Sequence, residues 1–174
     1  FRKANGETGA IDYREKAPMA ASKDMYLDQK GEVIEGKSTG TALASGIPGT
    51  IAGIFEVHKK YGSLPMNEIV EPVIAKKKKG VIITKFQAES LNNNREFFTK
   101  INGRNSLFSK VYKENDTIKY TALAATLKRI AKNGRDEFYK GETAQKLVDF
   151  LAKKGGIATM EDLNSYKAKW RTPI

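Results

Sequence analysis

An α+β fold, largely helical with a few short strands, is what this sequence of 174 residues predicts. Three observations carry that reading. Short runs of β-formers stand near the start of the chain and again at its end. Between them, apolar residues recur at helical spacing. Hydrophobic residues make up 40% of the chain against 29% charged, the balance of a chain that buries a core rather than staying disordered. The length suits one domain, and no apolar run approaches that of a membrane span.

The first forty residues read as short strands and turns. Ile11 and Tyr13 supply β-formers in GAIDYRE, and EVIEG is a β-branched run that ends at Gly36. The period changes in ASGIPGTIAGIFEVHKKYG. There Ile51, Ile54, Phe55 and His58 fall on one helical face, with Pro48 at the entrance and Gly62 at the exit. SLPMNEIVEPVIAKKKKG predicts a second helix, capped by Ser63, with Pro65 in its first turn and Pro72 bending or interrupting it. After VIIT, the stretch FQAESLNNNREFFTK predicts a poorly capped helix, and residues 102–119 predict a loop. TALAATLKRIAKNG predicts a helix with Leu123, Leu127, Ile130 and Ala131 on one face and a stop at its Asn-Gly pair. ETAQKLVDFLAKKGG predicts another, with a stripe of Ala144, Leu147, Val148, Leu151 and Ala152. Thr159 opens a capping box in which Asp162 replaces the usual Glu or Gln. The last segment, YKAKWRTPI, alternates as a strand does and has no obvious partner in this chain. There is no internal repeat and no linker.

Several chemistries are excluded at once. The absence of cysteine removes disulfides, thiol catalysis and cysteine metal sites. His58 is the only histidine, so paired-histidine chemistry and histidine metal clusters are out; on a helix face it reads as a boundary residue. The formal charge of +11 comes mostly from scattered lysines, which read as a solvated surface and not as a nucleic-acid site. Lys76 to Lys79 read as a helix end near the negative pole of the dipole, without the aromatics a single-strand platform needs. Asn92 to Asn94 read as a loop or a frayed end. GEVIEGKS, Gly31 to Ser38, matches the spacing of a phosphate loop, yet lacks a buried strand before it and a helix after it. It is a coincidence of spacing.

Arg14, in IDYREKAP, is different. A guanidinium grips a carboxylate with two parallel bonds, and a short strand leading into a proline turn would hold it at a fixed height. The residues alone leave two readings: a local ion pair with Asp12 or Glu15, the commoner outcome, or a carboxylate that arrives from outside.

IDYREKAP resembles the Asp-aromatic-Arg-Glu-x-Ala-Pro segment of the γ-glutamyltranspeptidase family, the glutathione hydrolases. ASGIPGTIAG and KKYGSLP are similar to the family's next blocks. So are LAATLKRIAKNGRDEFYKGETAQKLV and KKGGIATMEDLNSYKAKWRTPI, in the same order along nearly the whole chain. AKKKKG departs from the apolar helix that family members more often continue there.

The resemblance implies a fragment of the αββα amino-terminal-nucleophile (Ntn) hydrolase fold, made as a precursor that cleaves itself into a large and a small subunit. A new amino-terminal threonine of the small subunit would attack the γ-glutamyl amide of a substrate such as glutathione. The γ-glutamyl group would then pass to water or to an amino acid. By resemblance, Arg14 binds the α-carboxylate of that group, with Glu15 and Asp12 orienting it. Residues 1–174 are then expected to be part of the large subunit, beginning after its early glycine-rich segment and ending before the processing threonine. Thr172 belongs to the Arg-x-Pro block and is not that nucleophile, so no catalytic residue is assigned to this chain and it is expected to be inactive alone. No cofactor and no metal is implied. The expected partners are the small subunit, the rest of the large subunit and the substrate, in a periplasmic or secreted setting. The alternatives are a related acylase or polyglutamate-processing enzyme of the same superfamily, and a non-catalytic basic binding module.

Overall fold

The strand near the start of the chain pairs with the one at its end. In the computed structural model, which describes residues 1–173, β1 (Ala10–Asp12) and β4 (Lys169–Arg171) form an antiparallel ladder. Ala10 lies opposite Arg171, Ile11 opposite Trp170 and Asp12 opposite Lys169. The expectation that the last strand lacks a partner is corrected: alternation marks a strand but does not say which distant segment meets it. EVIEG, by contrast, forms no strand. Its residues lie in turns with a single bridge from Leu27 to Val33, and Val33 is exposed. Propensity for the extended state does not hold where there is no sheet face to pack against.

The chain divides into two compact units, residues 1–67 with 129 onward, and residues 68–128. The first contains β1, β4, α1 (Thr50–Tyr61), α6 (Arg135–Tyr139), α7 (Glu142–Lys153) and α8 (Met160–Ser165). Its core is Ile47, Ala52, Tyr139, Ala144, Ala158, Leu163 and Tyr166, against which Leu147, Val148 and Leu151 of the expected α7 stripe pack. Ala152, also placed on that stripe, is exposed. The buried face of α1 is Ala52 and Gly53, while Ile54 is exposed. Ile51 of the predicted face packs against this core and Phe55 and His58 are half-buried, but the positions fully buried are the small ones beside them. The capping box of α8 is present with both halves, Thr159 accepting from Asp162 N–H and Asp162 accepting from Thr159 N–H at 2.8 Å.

The second unit holds a two-stranded ladder of β2 (Val81–Ile82) and β3 (Thr117–Ile118), with α3 (Lys85–Asn93) and α4 (Arg95–Asn102). Its core is Ile83, Ala88, Tyr112 and Ile118. FQAESLNNNREFFTK is two helices, and α3 is well capped: Thr84 and Gln87 form a complete capping box. Asn92 and Asn93 end α3 in helical conformation, and only Asn94 sits at the junction. The Asn92 amide donates to Tyr112 O at 2.8 Å and accepts from Tyr112 N–H at 3.0 Å, so its role is to tie down the following loop.

Two helices, α2 (Met66–Lys79) and α5 (Thr121–Asn133), cross the sequence boundaries of these units. Pro72 does not interrupt α2, which starts after Pro65, so Ser63 is not its cap. α5 stops at Gly134, whose φ of +74° is available to glycine at little cost. On the predicted α5 face Ile130 is buried and Leu127 and Ala131 are half-buried, while Leu123 is exposed and the neighbouring Ala124 is buried in its place.

Candidate functional site

Arg14 lies just beyond β1, where the chain leaves the ladder, and lines an open concavity of about 490 Å³. The facing residues are Pro48, Gly49 and Thr50, the entrance to α1. Small residues bring these two segments together. A β-carbon at Gly49 would collide with the Tyr13 carbonyl and the Tyr166 hydroxyl, and one at Gly53 would meet the Tyr13 ring at 2.5 Å. Backbone bonds between Lys16 and Ile47, at 3.2 and 2.7 Å, close the join below. Gly49 carries no side chain with which to cap α1. The Tyr139 hydroxyl takes over, accepting from Ala52 N–H at 3.1 Å and donating to Pro48 O at 2.8 Å.

The geometry around Arg14 separates the two local ion-pair candidates. Asp12 does not pair with its side chain. Its carboxylate accepts the Arg14 backbone N–H at 3.2 Å and the Arg171 guanidinium at 2.7 and 3.2 Å. Those bonds, Arg171 foremost, hold the Asp12 carboxyl below its usual pKa. Glu15 does pair with Arg14, but at 3.3 Å and through Nε alone, longer than a tight charge-assisted bond. Among the described residues neither terminal nitrogen of Arg14 has a partner. The side chain is 83% exposed. What is fixed is its base, and what is open is the fork.

The remaining sequence candidates lie elsewhere. His58 bonds to the carbonyl of Leu64 at 2.7 Å and ties the end of α1 to the next turn. Lys76 to Lys79 form the last turn of α2, and the Lys77 ammonium lies 4.8 Å from the Tyr120 ring centre. Lys37 and Ser38 are in a turn and no helix starts at them, the next being the single 3-10 turn Ala42–Ala44, so the phosphate-loop spacing has no phosphate-loop structure.

Tyr139 and Tyr166 were not singled out from the sequence. Both are buried, stacked with ring centres 5.7 Å apart and planes within 11°, and Tyr166 donates to the Arg14 carbonyl at 2.7 Å. Burial raises the pKa of both phenols. A tyrosine where a core phenylalanine would suffice was the available signal. Arg171, too, was read only as part of the terminal block.

The whole of the chain, residues 1–174, matches the family model described as gamma-glutamyltranspeptidase. It is 41% identical over 178 residues to the glutathione hydrolase proenzyme of Escherichia coli, covering 100% of this chain and 31% of that protein. The crystal structure of Helicobacter pylori gamma-glutamyltranspeptidase superimposes with a TM-score of 0.95 at 40% identity, covering 100% of this chain and 51% of that one. The gamma-glutamyltranspeptidase of Pseudomonas nitroreducens, complexed with L-DON, gives a TM-score of 0.90 at 41% identity over 98% of this chain and 50% of that one. The fold is thus the α+β arrangement found within Ntn hydrolases. The chain belongs to the γ-glutamyltranspeptidase family. It spans about a third of the length of the curated relative and half that of the two solved chains. No helix among the described residues is long and apolar enough to cross a membrane.

Proposed function

We propose that this chain is the substrate-carboxylate-binding part of the large subunit of a γ-glutamyltransferase or glutathione hydrolase. Arg14 receives the α-carboxylate of a γ-glutamyl donor such as glutathione. The single observation that carries this reading is the pair of unpartnered terminal nitrogens of Arg14 at the edge of a concavity. A carboxylate seated there forms the two parallel bonds that the guanidinium fork offers. Glu15 orients the side chain, and Asp12 holds its backbone.

The attacking nucleophile is assigned to the small subunit of the same precursor, and no residue of this chain is given a catalytic role. The partners are accordingly that subunit, the rest of the large subunit and the γ-glutamyl substrate, in a periplasmic or secreted setting. Family membership and the blocks shared in order along the chain support these assignments.

The test is the Arg14→Ala variant of the complete processed protein, assayed with a γ-glutamyl anilide. Loss of a bidentate charge-assisted contact is expected to raise KM more than about tenfold. An unchanged KM rejects Arg14 as the carboxylate site.

A further inference from the structure

We propose that Tyr166, seated on Tyr139, is a positioning residue for Arg14. The inference rests on the reading of Arg14 as the carboxylate-binding cation. With its side chain 83% exposed, Arg14 has little packing of its own to aim it. The direction in which the guanidinium leaves the chain is therefore set by the backbone beneath it together with the single Glu15 bond at Nε. That backbone is held on both sides: its N–H by Asp12 at 3.2 Å and its carbonyl by the Tyr166 hydroxyl at 2.7 Å.

Tyr166 is held in turn. Its ring stacks on Tyr139, its own carbonyl accepts from the Arg135 guanidinium, and that guanidinium lies 4.3 Å from the Tyr139 ring centre. Tyr139, fully buried, bonds through its hydroxyl to Pro48 O on the facing wall of the concavity and to Ala52 N–H in the first turn of α1. One tyrosine fixes the Arg14 wall, the other fixes the Pro48 wall, and the stacked rings set the separation. Each buried hydroxyl needs a partner, and here the partners are the backbone of the two walls. Gly49 is part of the same device, since a side chain there would displace the Tyr166 hydroxyl.

Tyr166→Phe in the complete processed protein removes the hydroxyl and keeps the ring. KM for a γ-glutamyl anilide is expected to rise about three- to tenfold, because a mis-aimed guanidinium keeps only part of its grip on the carboxylate, with kcat within about twofold. The lost bond itself should lower the melting temperature by no more than about 4 °C. In an Arg14→Ala background the same change should add less than about 1.5-fold, because the group it positions is gone. An unchanged KM, or an equal factor in both backgrounds, overturns the inference while leaving the Arg14 reading in place. If Arg14→Ala itself leaves KM unchanged, the Arg14 reading fails and this inference fails with it. Tyr139→Phe, acting on the opposite wall, carries the test under the same criteria if the Tyr166 variant does not fold.

Discussion

Asp12 and Arg171 meet across the β1–β4 ladder, Arg171 Nη2 donating to Asp12 Oδ2 at 2.7 Å and Nε to the same oxygen at 3.2 Å. They are diagonal neighbours, since Asp12 lies directly opposite Lys169. The pair joins the terminal Arg-x-Pro block to the Asp-Tyr-Arg-Glu motif. One carboxylate oxygen takes Arg171, and the other takes the backbone of Arg14. The link between two blocks 159 residues apart is physical.

Arg171→Ala should raise the Asp12 pKa towards the ordinary carboxylate value, because the bond that contributes most to lowering it is removed. The folded-state value of Asp12 lies below the unfolded one. Its stabilising contribution is therefore complete above the unfolded value and is lost as pH falls through the folded one. Carboxyl NMR titration of both proteins checks this. An Asp12 titration unmoved by the substitution would show that Arg171 does not hold it.

Glu137 is a buried hub in the first unit. Burial pushes its pKa up, yet bonds from Thr143, Arg129 and Asn133 outweigh that and hold it below the usual value. Glu137→Ala leaves those donors without their acceptor and should cost about 2–4 kcal/mol of stability at neutral pH. The difference from the parent should shrink as pH falls through the lowered pKa, where the parent's carboxylate is itself protonated. Denaturant melts at neutral and acid pH measure both quantities.

Gly49→Ala places a methyl against the Tyr13 carbonyl and the Tyr166 hydroxyl. Overpacking of this kind costs about 1–3 kcal/mol. KM for the donor should rise together with the loss of melting temperature, because the collision lies under Arg14. A melt equal to the parent's would show that the two walls are not in contact in solution.

GEVIEGKS should bind no nucleotide. Lys37→Ala is expected to leave activity unchanged, and ATP with Mg²⁺ is expected not to shift the melting temperature. A ligand bound at a hundred times its Kd adds about 2.7 kcal/mol, which such a melt detects readily. A shift in the parent that Lys37→Ala abolishes would contradict the turn-only assignment of this segment.

Much of the helical skeleton was legible because helices announce themselves locally. Thr159 with Asp162 and the stop at Gly134 both stand as read. The failures lie where tertiary contacts decide. Alternation in the last segment marked a strand but not its pairing with Ala10–Asp12. The β-branched run at Val33 has no neighbouring strand of useful length and stays exposed. Apolar spacing put Ile54 and Leu123 on buried faces, whereas the buried positions are Ala52, Gly53 and Ala124, with the Tyr13 ring packed on Gly53. At the candidate site, Arg14 was marked by charge chemistry and by family resemblance. Its distant supports were not, because Tyr166 meets the Arg14 carbonyl across 152 residues, Arg171 meets Asp12 across 159 and Tyr139 meets Pro48 across 91.

In the proposed site the exposed Arg14 guanidinium has its base fixed, and its two outer nitrogens are open to an amino-acid carboxylate. The most direct measurement compares two anilide donors on the complete processed protein and its Arg14→Ala variant, one γ-glutamyl and the other identical except that its α-carboxylate is missing. The parent should prefer the carboxylate-bearing donor in kcat/KM by more than about tenfold, and the variant should lose that preference almost entirely. A preference that survives the loss of Arg14 would contradict the account.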